Sequence, residues 1–311
     1  MKCLVTGGVG FIGSHLSDLL LANGHEVICL DDLSTGRLKN IDHLRSNPKF
    51  SFIKQDCTIP LSHKFQVDTI FHLASPASPP KYQSMPLETM LANTLGTYYL
   101  LELAKSCNAV FVFASTSEIY GDPQEHPQKE TYWGHVNPVG ERSCYNESKR
   151  AGEAFVMTYV RKYGLNARIM RIFNTYGPRM DIDDGRVVTN FIKQIMTDRP
   201  LTINGRGEQT RSFCYVSDLV EGIFRIGTYE KIEGEVINLG NPEELTILDL
   251  ANRLQKITGS REKLVFAALP TDDPVRRRPD IGKAALLLKW NPVISLDVGL
   301  RKTLDYFANE V

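Results

Sequence analysis

Lys2-Cys3-Leu4-Val5-Thr6-Gly7-Gly8-Val9-Gly10-Phe11-Ile12-Gly13 decides the fold of this 311-residue chain. Lys2 to Thr6 is a short, largely apolar run of the kind a strand buried on both faces requires. The glycine turn after it opens an apolar helix running to about Leu21, which Asn23-Gly24 stops. Glu26 to Leu30 then reads as a second strand, ending at Asp31. Strand, helix and strand make one βαβ unit. Gly7, Gly10 and Gly13 have the spacing that lets a backbone approach a pyrophosphate at the positive end of a helix. Asp31 falls where an acid accepts hydrogen bonds from an adenine ribose. The unit therefore predicts a dinucleotide site.

Asp31 also bears on which dinucleotide. A carboxylate there repels a 2′-phosphate, so NAD is expected rather than NADP. Arg37, in Ser34-Thr35-Gly36-Arg37, is the counterweight, since an arginine can reach such a phosphate. We read it as a solvated loop residue or a contact on the adenosine side.

Outward from this unit, strand signals recur at Phe50 to Ile53, Thr69 to Leu73, Val110 to Ala114 and Ala167 to Ile172. Helical patterns fill about Pro86 to Ser106 and Tyr145 to Tyr163. Such alternation predicts an α/β fold, a doubly wound parallel sheet of Rossmann type, with ligands at the carboxyl edge of its strands. From Tyr176 the text becomes rich in turns, as in Gly177-Pro178, Asp183-Asp184-Gly185, Asn204-Gly205-Arg206-Gly207 and the stretch 270–279. Ser212 to Val216 and Glu235 to Leu239 again read as strands. The expected division is an NAD-binding part, residues 1–175 with returning segments at about 212–240. Residues 176–211 and 241–311 would form a smaller, interleaved substrate-binding part.

Bulk properties exclude several classes. With 36 basic and 36 acidic residues, no global field recruits nucleic acid or an acidic membrane. Six cysteines (Cys3, Cys29, Cys57, Cys107, Cys144, Cys214) are scattered without C-x-x-C spacing, which fits reduced thiols in the cytoplasm and argues against zinc. No metal is expected. The first strand begins at Lys2, leaving no room for a leader in this chain, and no apolar run approaches the ~20 residues a membrane span needs.

The chemistry-bearing pattern is Ala114-Ser115-Thr116-Ser117-Glu118-Ile119-Tyr120-Gly121 followed by Tyr145-Asn146-Glu147-Ser148-Lys149. Four residues apart on a helix, Tyr145 and Lys149 share a face, so the ammonium can sit beside the phenol and favour its phenolate. Tyr145 then becomes a general base for an alcohol.

Together these motifs resemble the extended short-chain dehydrogenase/reductase superfamily, in its sugar-nucleotide-modifying branch. His72-Leu73-Ala74-Ser75-Pro76-Ala77-Ser78-Pro79-Pro80, Tyr132-Trp133-Gly134-His135-Val136-Asn137-Pro138, Arg171-Ile172-Phe173-Asn174-Thr175-Tyr176-Gly177-Pro178-Arg179-Met180 and Asp184-Gly185-Arg186-Val187-Val188 narrow the likeness. They look like the UDP-glucuronate decarboxylase family, from about Lys2 to Phe307. The resemblance implies NAD held by Gly7, Gly10, Phe11, Ile12, Gly13, Asp31, Asp32, Ser34, Thr35, Gly36, Asp56, Leu73, Ala74, Tyr145 and Lys149. It implies catalysis by Thr116, Glu118, Tyr145, Lys149 and Arg277. UDP-glucuronate would be held by Asn174, Val188, Arg211 and Arg277.

The implied reaction oxidises C4, loses carbon dioxide from the resulting β-keto acid and returns the hydride, giving UDP-xylose. Thr116 would hydrogen-bond O4 alongside the tyrosine, and Glu118 would either position a water or handle a proton at C5. Ser117 separates this family from 4,6-dehydratases, which have an acid there to protonate the departing C6 hydroxyl. Epimerases of the superfamily generally lack the glutamate. One departure is Asn204, where relatives often have an aromatic that stacks on uracil. Release of the 4-keto pentose, another epimerase or dehydratase activity and a non-catalytic sensor remain as alternatives. Relatives pair helices into a bundle, so a homodimer through Leu91 to Leu103 and Ala151 to Val160 is expected.

Overall fold

β1 (Lys2–Thr6), α1 (Phe11–Ala22) and β2 (Glu26–Asp31) form the βαβ unit in a computed structural model that describes residues 1–61, 66–270 and 273–310. β3 (Phe50–Lys54) and β4 (Thr69–His72) follow, then α2 (Pro79–Ser84), α3 (Pro86–Leu91) and α4 (Thr97–Cys107). β5 (Val110–Thr116), α5 (Ser143–Tyr163) and β6 (Ala167–Ile172) complete the first part of the chain. Shorter elements succeed them: β7 (Thr175–Tyr176), α6 (Val187–Met196), β8 (Leu201–Asn204), β9 (Thr210–Ser212) and β10 (Cys214–Tyr215). α7 (Val216–Thr228), β11 (Val236–Leu239), β12 (Glu244–Thr246) and α8 (Ile247–Thr258) come next. β13 (Leu264–Ala267), β14 (Arg276–Arg277), α9 (Gly282–Leu288) and α10 (Leu296–Ala308) end it.

Seven strands make the central sheet in the order β3-β2-β1-β4-β5-β6-β11, all neighbours parallel. The chain winds outward from β1 through β2 to β3 and then returns to β4 on the other side. That reversal opens a crevice at the carboxyl ends of β1 and β4. Alternate residues of the strands go to opposite faces. Cys3, Val5, Val27, Phe71, Val112 and Met170 join the core under α1 and α7, whereas Leu4, Ile28, Ile70, Phe111, Phe113 and Ile169 join the core under α4 and α5. Burial on both faces is why these strands read as continuous apolar runs. Each such side chain contributes about 1.5–3 kcal/mol on leaving water.

The stretch Ser212 to Val216 is corrected by the structure. It is not one strand and does not enter the central sheet. Thr210–Ser212 pairs antiparallel with β12, Cys214–Tyr215 pairs with β7, and Val216 already begins α7. Phe213, Cys214, Tyr215 and Val216 are all buried, and a short buried apolar run does not distinguish a strand from a helix start. Glu235 to Leu239 does supply a strand, β11, at the sheet edge beside β6. The pattern Pro86 to Ser106 holds a π-helical turn at Ala92–Gly96 between α3 and α4, where Asn93 Nδ2 donates to Ser148 Oγ of α5 at 2.9 Å. Of the turn-rich stretch 270–279, residues 271 and 272 lie outside those described.

α7 packs flat on the sheet at Gly227. A Cβ there would fall 2.2 Å from Cζ and 2.4 Å from Cε1 of the fully buried Phe71 ring. Gly227→Ala should therefore destabilise the protein by about 1–3 kcal/mol, the range for overpacking, although alanine returns up to ~1 kcal/mol of helix propensity. Urea unfolding measures this, and unchanged stability would show that the ring can yield.

Candidate active site

The dinucleotide half is built on backbone contacts that exclude side chains. Gly7 adopts φ +69°, and a Cβ on it would lie 2.8 Å from the Ala74 nitrogen; on Gly13 it would lie 2.2 Å from the Gly7 carbonyl oxygen. α1 starts at Phe11 with Gly10 as its N-cap and no side-chain cap bond, so its first amides, at Phe11 and Ile12, open into the cavity the turn surrounds. A bare helix N-terminus in a cradle that any Cβ would fill suits a pyrophosphate. Asp31, at the end of β2, accepts from Val9 N at 3.2 Å and Leu33 N at 2.9 Å. Its burial outweighs those bonds and raises the carboxyl to about 6. Asp32 accepts from Ser34 N and Asp56 from Thr58 N, which shapes the two loops beside Thr35 and Gly36. The nitrogens of Leu73 and Ala74 are bound by the Thr6 carbonyl and hydroxyl. Arg37 is half-exposed and its guanidinium pairs with Asp181. These residues fit NAD, and all the expected cofactor contacts line one cavity of about 740 Å³.

Thr116, Glu118, Tyr145, Lys149, Asn174, Val188, Arg211 and Arg277 line the same cavity. Thr116 ends β5, and its hydroxyl accepts from Glu118 N at 3.2 Å, so it also caps the short turn Ser117–Tyr120. Tyr145 and Lys149 project from the first turns of α5. The ammonium lies near the Tyr145 ring, as the spacing predicts, but its hydrogen bond goes to the backbone. Lys149 Nζ donates to the Ala114 carbonyl at 2.7 Å and stands 5.9 Å from the centre of the Tyr145 ring. Complete burial pushes Lys149 down to about 7, and burial likewise lifts Tyr145 to about 12 against a hydrogen bond with Thr116 and the charges of Arg186 and Arg277. Desolvation disfavours the charged form of both groups.

Helical spacing did not reveal Tyr82 of α2. Its ring stacks on Tyr145 at 4.9 Å with 4° between the planes, and its buried hydroxyl has no hydrogen-bond partner among the described residues. Asn174 sits between β6 and β7, where its carbonyl accepts from Cys214 N. Val188 is buried in the first turn of α6. Asn204, ending β8, also faces the cavity.

A chain of alternating charges crosses the other half of the cavity. Arg277 bonds Glu118 Oε1, Arg142 approaches Glu118 Oε2 at 3.4 Å, and Arg142 and Arg211 each hold one oxygen of Asp273 at 2.9 Å. Burial alone would raise the Glu118 carboxyl, but Arg277 and Arg142 outweigh it and hold it below its ordinary value. Glu118 is thus a carboxylate at neutral pH. The basic triplet is divided by strand alternation: Arg276 is exposed, Arg277 is buried in β14, and Arg278 is half-buried, its amide bound to Gln128. Arg142 and Asp273 were missed because charged loop residues carry no periodicity. Arg186, which pairs with Asp184 beside α6, was missed as a site residue for the same reason. Among the described residues no group of three or more His, Cys, Asp or Glu side chains is placed to hold a metal.

The model of the NAD dependent epimerase/dehydratase family matches residues 3–240. UDP-glucuronic acid decarboxylase 1 of Danio rerio is 49% identical over 310 residues, covering 100% of this chain and 73% of that protein. UDP-glucuronic acid decarboxylase 1 of Arabidopsis thaliana is 50% identical, covering 100% of this chain and 71% of its own length. Among solved structures, UDP-glucuronic acid 4-epimerase from Bacillus cereus in complex with UDP-glucuronic acid and NAD superposes with a TM-score of 0.91 at 33% identity, over the whole of both chains.

The raised Asp31 carboxyl has a sign that can be checked. Its folded value of about 6 exceeds the ordinary 3.8, so the fold disfavours the ionised form. The associated cost is absent below about pH 4, grows as pH rises through 6 and is complete above it. Asp31→Asn should therefore raise the melting temperature at pH 7–8, by the equivalent of up to ~3 kcal/mol, and leave it unchanged near pH 4. A gain of equal size at both pH values would contradict a burial cost.

Proposed function

The chain belongs to the NAD-dependent epimerase/dehydratase family and, within it, to the UDP-glucuronic acid decarboxylases, and on that premise we propose that it converts UDP-glucuronate to UDP-xylose. The observation that carries the reading is the Ser117-Glu118 pair beside Tyr145. A hydroxyl at 117 is too weak an acid to expel a C6 hydroxyl, and Glu118, held ionised by two arginines, cannot donate that proton either. Elimination is thereby disfavoured, and loss of the carboxyl group from a β-keto acid needs no such acid.

The glycine turn and Asp31 would hold NAD, which when bound would supply the acceptor and donor for the C4 hydride. Tyr145 removes the O4 proton and later returns it, and the Thr116 hydroxyl beside it holds O4. The hydrogen bond with Thr116 and the charges of Arg186 and Arg277 act to lower the phenol against its burial. In this reading these are the groups that must offset burial for Tyr145 to act as a base. Once C4 is a ketone, the C6 carboxylate leaves as carbon dioxide because its electrons enter an enolate. Glu118, as a carboxylate, is suited to orienting the water that protonates C5. Arg211 and Arg277 supply cations for an anionic sugar nucleotide, with Asn174 and Val188 beside them.

In this reading residues 1–175 with about 212–240 bind the cofactor, and 176–211 with 241–311 bind the substrate. A cytoplasmic location, expected from the scattered cysteines, belongs to the same proposal; among the described residues no helix is long and apolar enough to cross a membrane. A homodimer is supported by exposed apolar side chains on neighbouring helices: Leu87, Met90 and Leu91 of α3, Tyr98 of α4, and Phe155 and Tyr163 of α5. Tyr98 and Phe155 already touch, with ring centres 6.4 Å apart, so the faces are continuous.

An NMR time course with UDP-glucuronate should show UDP-xylose forming without NADH accumulating; a stable UDP-4-keto pentose with NADH would replace the reading by oxidative decarboxylation. Tyr145→Phe should keep NAD and UDP-sugar binding while losing on the order of 10²-fold or more in rate, as expected for a general base. Near-normal turnover would remove Tyr145 from the mechanism.

Sedimentation at micromolar concentration should give a dimer. Replacing Leu91 by Glu should shift it to monomer, and a monomer in the unaltered protein would count against the interface.

A further inference from the structure

Asp273 occupies a position that the reaction itself does not explain. Its two carboxylate oxygens are each 2.9 Å from a guanidinium, one of Arg142 and one of Arg211. All three side chains face the cavity. Arg142 precedes α5, Arg211 lies in β9, and Asp273 precedes β14, so one carboxylate ties three separated segments across the opening. Arg211 has its NH1 on the Thr210 carbonyl and its NH2 on Asp273. Buried among Arg142 and Arg277, it is surrounded by like charge that Asp273 and Glu118 offset. In this cluster Arg142, Arg211 and Arg277 carry three positive charges, and Glu118 and Asp273 carry two negative ones.

We propose that Asp273 is a resident anion, which neutralises Arg142 and Arg211 in the free protein and is displaced from Arg211 by the diphosphate of the incoming substrate. This rests on the sugar-nucleotide reading above, in which Arg211 is a cation for the anionic substrate, and takes the diphosphate as the group that Arg211 meets. A diphosphate bound to Arg211 with Asp273 still in place would set two anionic groups on one guanidinium, and like charges at that distance repel. Exchange of one anion for the other keeps the arginines paired in both states, so no buried guanidinium is left without a partner. Asp273 thereby acts as a positioning residue: it presents Arg142 and Arg211 in place and competes with the ligand that replaces it.

The two roles separate in one variant. Asp273→Asn should lower the melting temperature, because the arginines lose their shared counter-charge, and yet bind both inorganic pyrophosphate and UDP on the order of tenfold more tightly, because the competitor is gone. A merely structural carboxylate would give lower stability with equal or weaker binding. Isothermal titration with NAD present, on the unaltered protein, Asp273→Asn, Asp273→Glu and Asp297→Asn, makes the comparison; should Asp273→Asn not fold, Asp273→Ser takes its place. Asp273→Glu keeps the charge and should not show the gain. Asp297→Asn, a charge loss at an exposed side chain in the first turn of α10, should match the unaltered protein in binding. Unchanged or weaker pyrophosphate and UDP binding in the charge-free variants, or an equal gain in Asp297→Asn, overturns the proposal. Pyrophosphate bound more tightly by Asp273→Asn, with UDP bound by neither protein, would instead overturn the uridine-nucleotide reading and leave the anion exchange standing.

Discussion

Parallel pairing is the constraint from which the site follows. In a sheet whose seven strands all run the same way, every carboxyl end emerges at one edge, and the loops leaving β1, β2, β4, β5 and β6 meet there. The glycine turn, Asp31, Leu73 and Ala74, Thr116 and Asn174 reach one cavity because each immediately follows or ends a strand of that sheet. Double-sided burial holds the strands in register, and their alternating side chains feed two cores at once. A slip of one residue would exchange the two sets of side chains, which is why the geometry of the edge is so narrowly defined.

Within that cavity electrostatics takes over from packing. The site gathers arginines that burial would strip of water, and each is paired: Arg277 and Arg142 with Glu118, Arg142 and Arg211 with Asp273, Arg186 with Asp184. Among the described residues of the site Lys149 is the exception, bound to a neutral carbonyl and pushed down to about 7 by burial. On the proposed reading charge is stored where an anionic sugar nucleotide can exchange with it, while burial disfavours the charged forms of Tyr145 and Lys149. Tyr145, raised to about 12 by the same desolvation, depends on its neighbours to become a base.

The fold does not choose the reaction. A superposition at a TM-score of 0.91 with a UDP-glucuronic acid 4-epimerase, beside 49–50% identity to UDP-glucuronic acid decarboxylases, places the distinction in side chains. On the proposed reading Ser117, Glu118 and the arginines around them are those side chains. On the proposed reading, Ser117 supplies no acid to expel a hydroxyl and Glu118, clamped by two guanidiniums, is a poor one, so decarboxylation is favoured over dehydration in this site.

By itself the sequence determined what depends on local pattern. Gly7, Gly10, Gly13 and Asp31 are spaced by a strand and a helix, and continuous apolar runs mark strands buried on both faces, so the βαβ unit and the parallel sheet could be read directly. The four-residue step from Tyr145 to Lys149 likewise put both on one helical face. Tertiary structure alone decided the rest. It sent Ser212 to Val216 into two small sheets and a helix instead of the central sheet, because a short buried apolar run fits either. It turned Lys149 to the Ala114 carbonyl and stacked Tyr82 on Tyr145. It also joined Glu118, Arg142, Arg211, Asp273 and Arg277 across more than 150 residues of chain, as from Glu118 to Arg277. Charged residues in loops have no period and no fixed direction in a sequence; their partners are set by which loops the sheet edge brings together, and burial then decides which charges survive there.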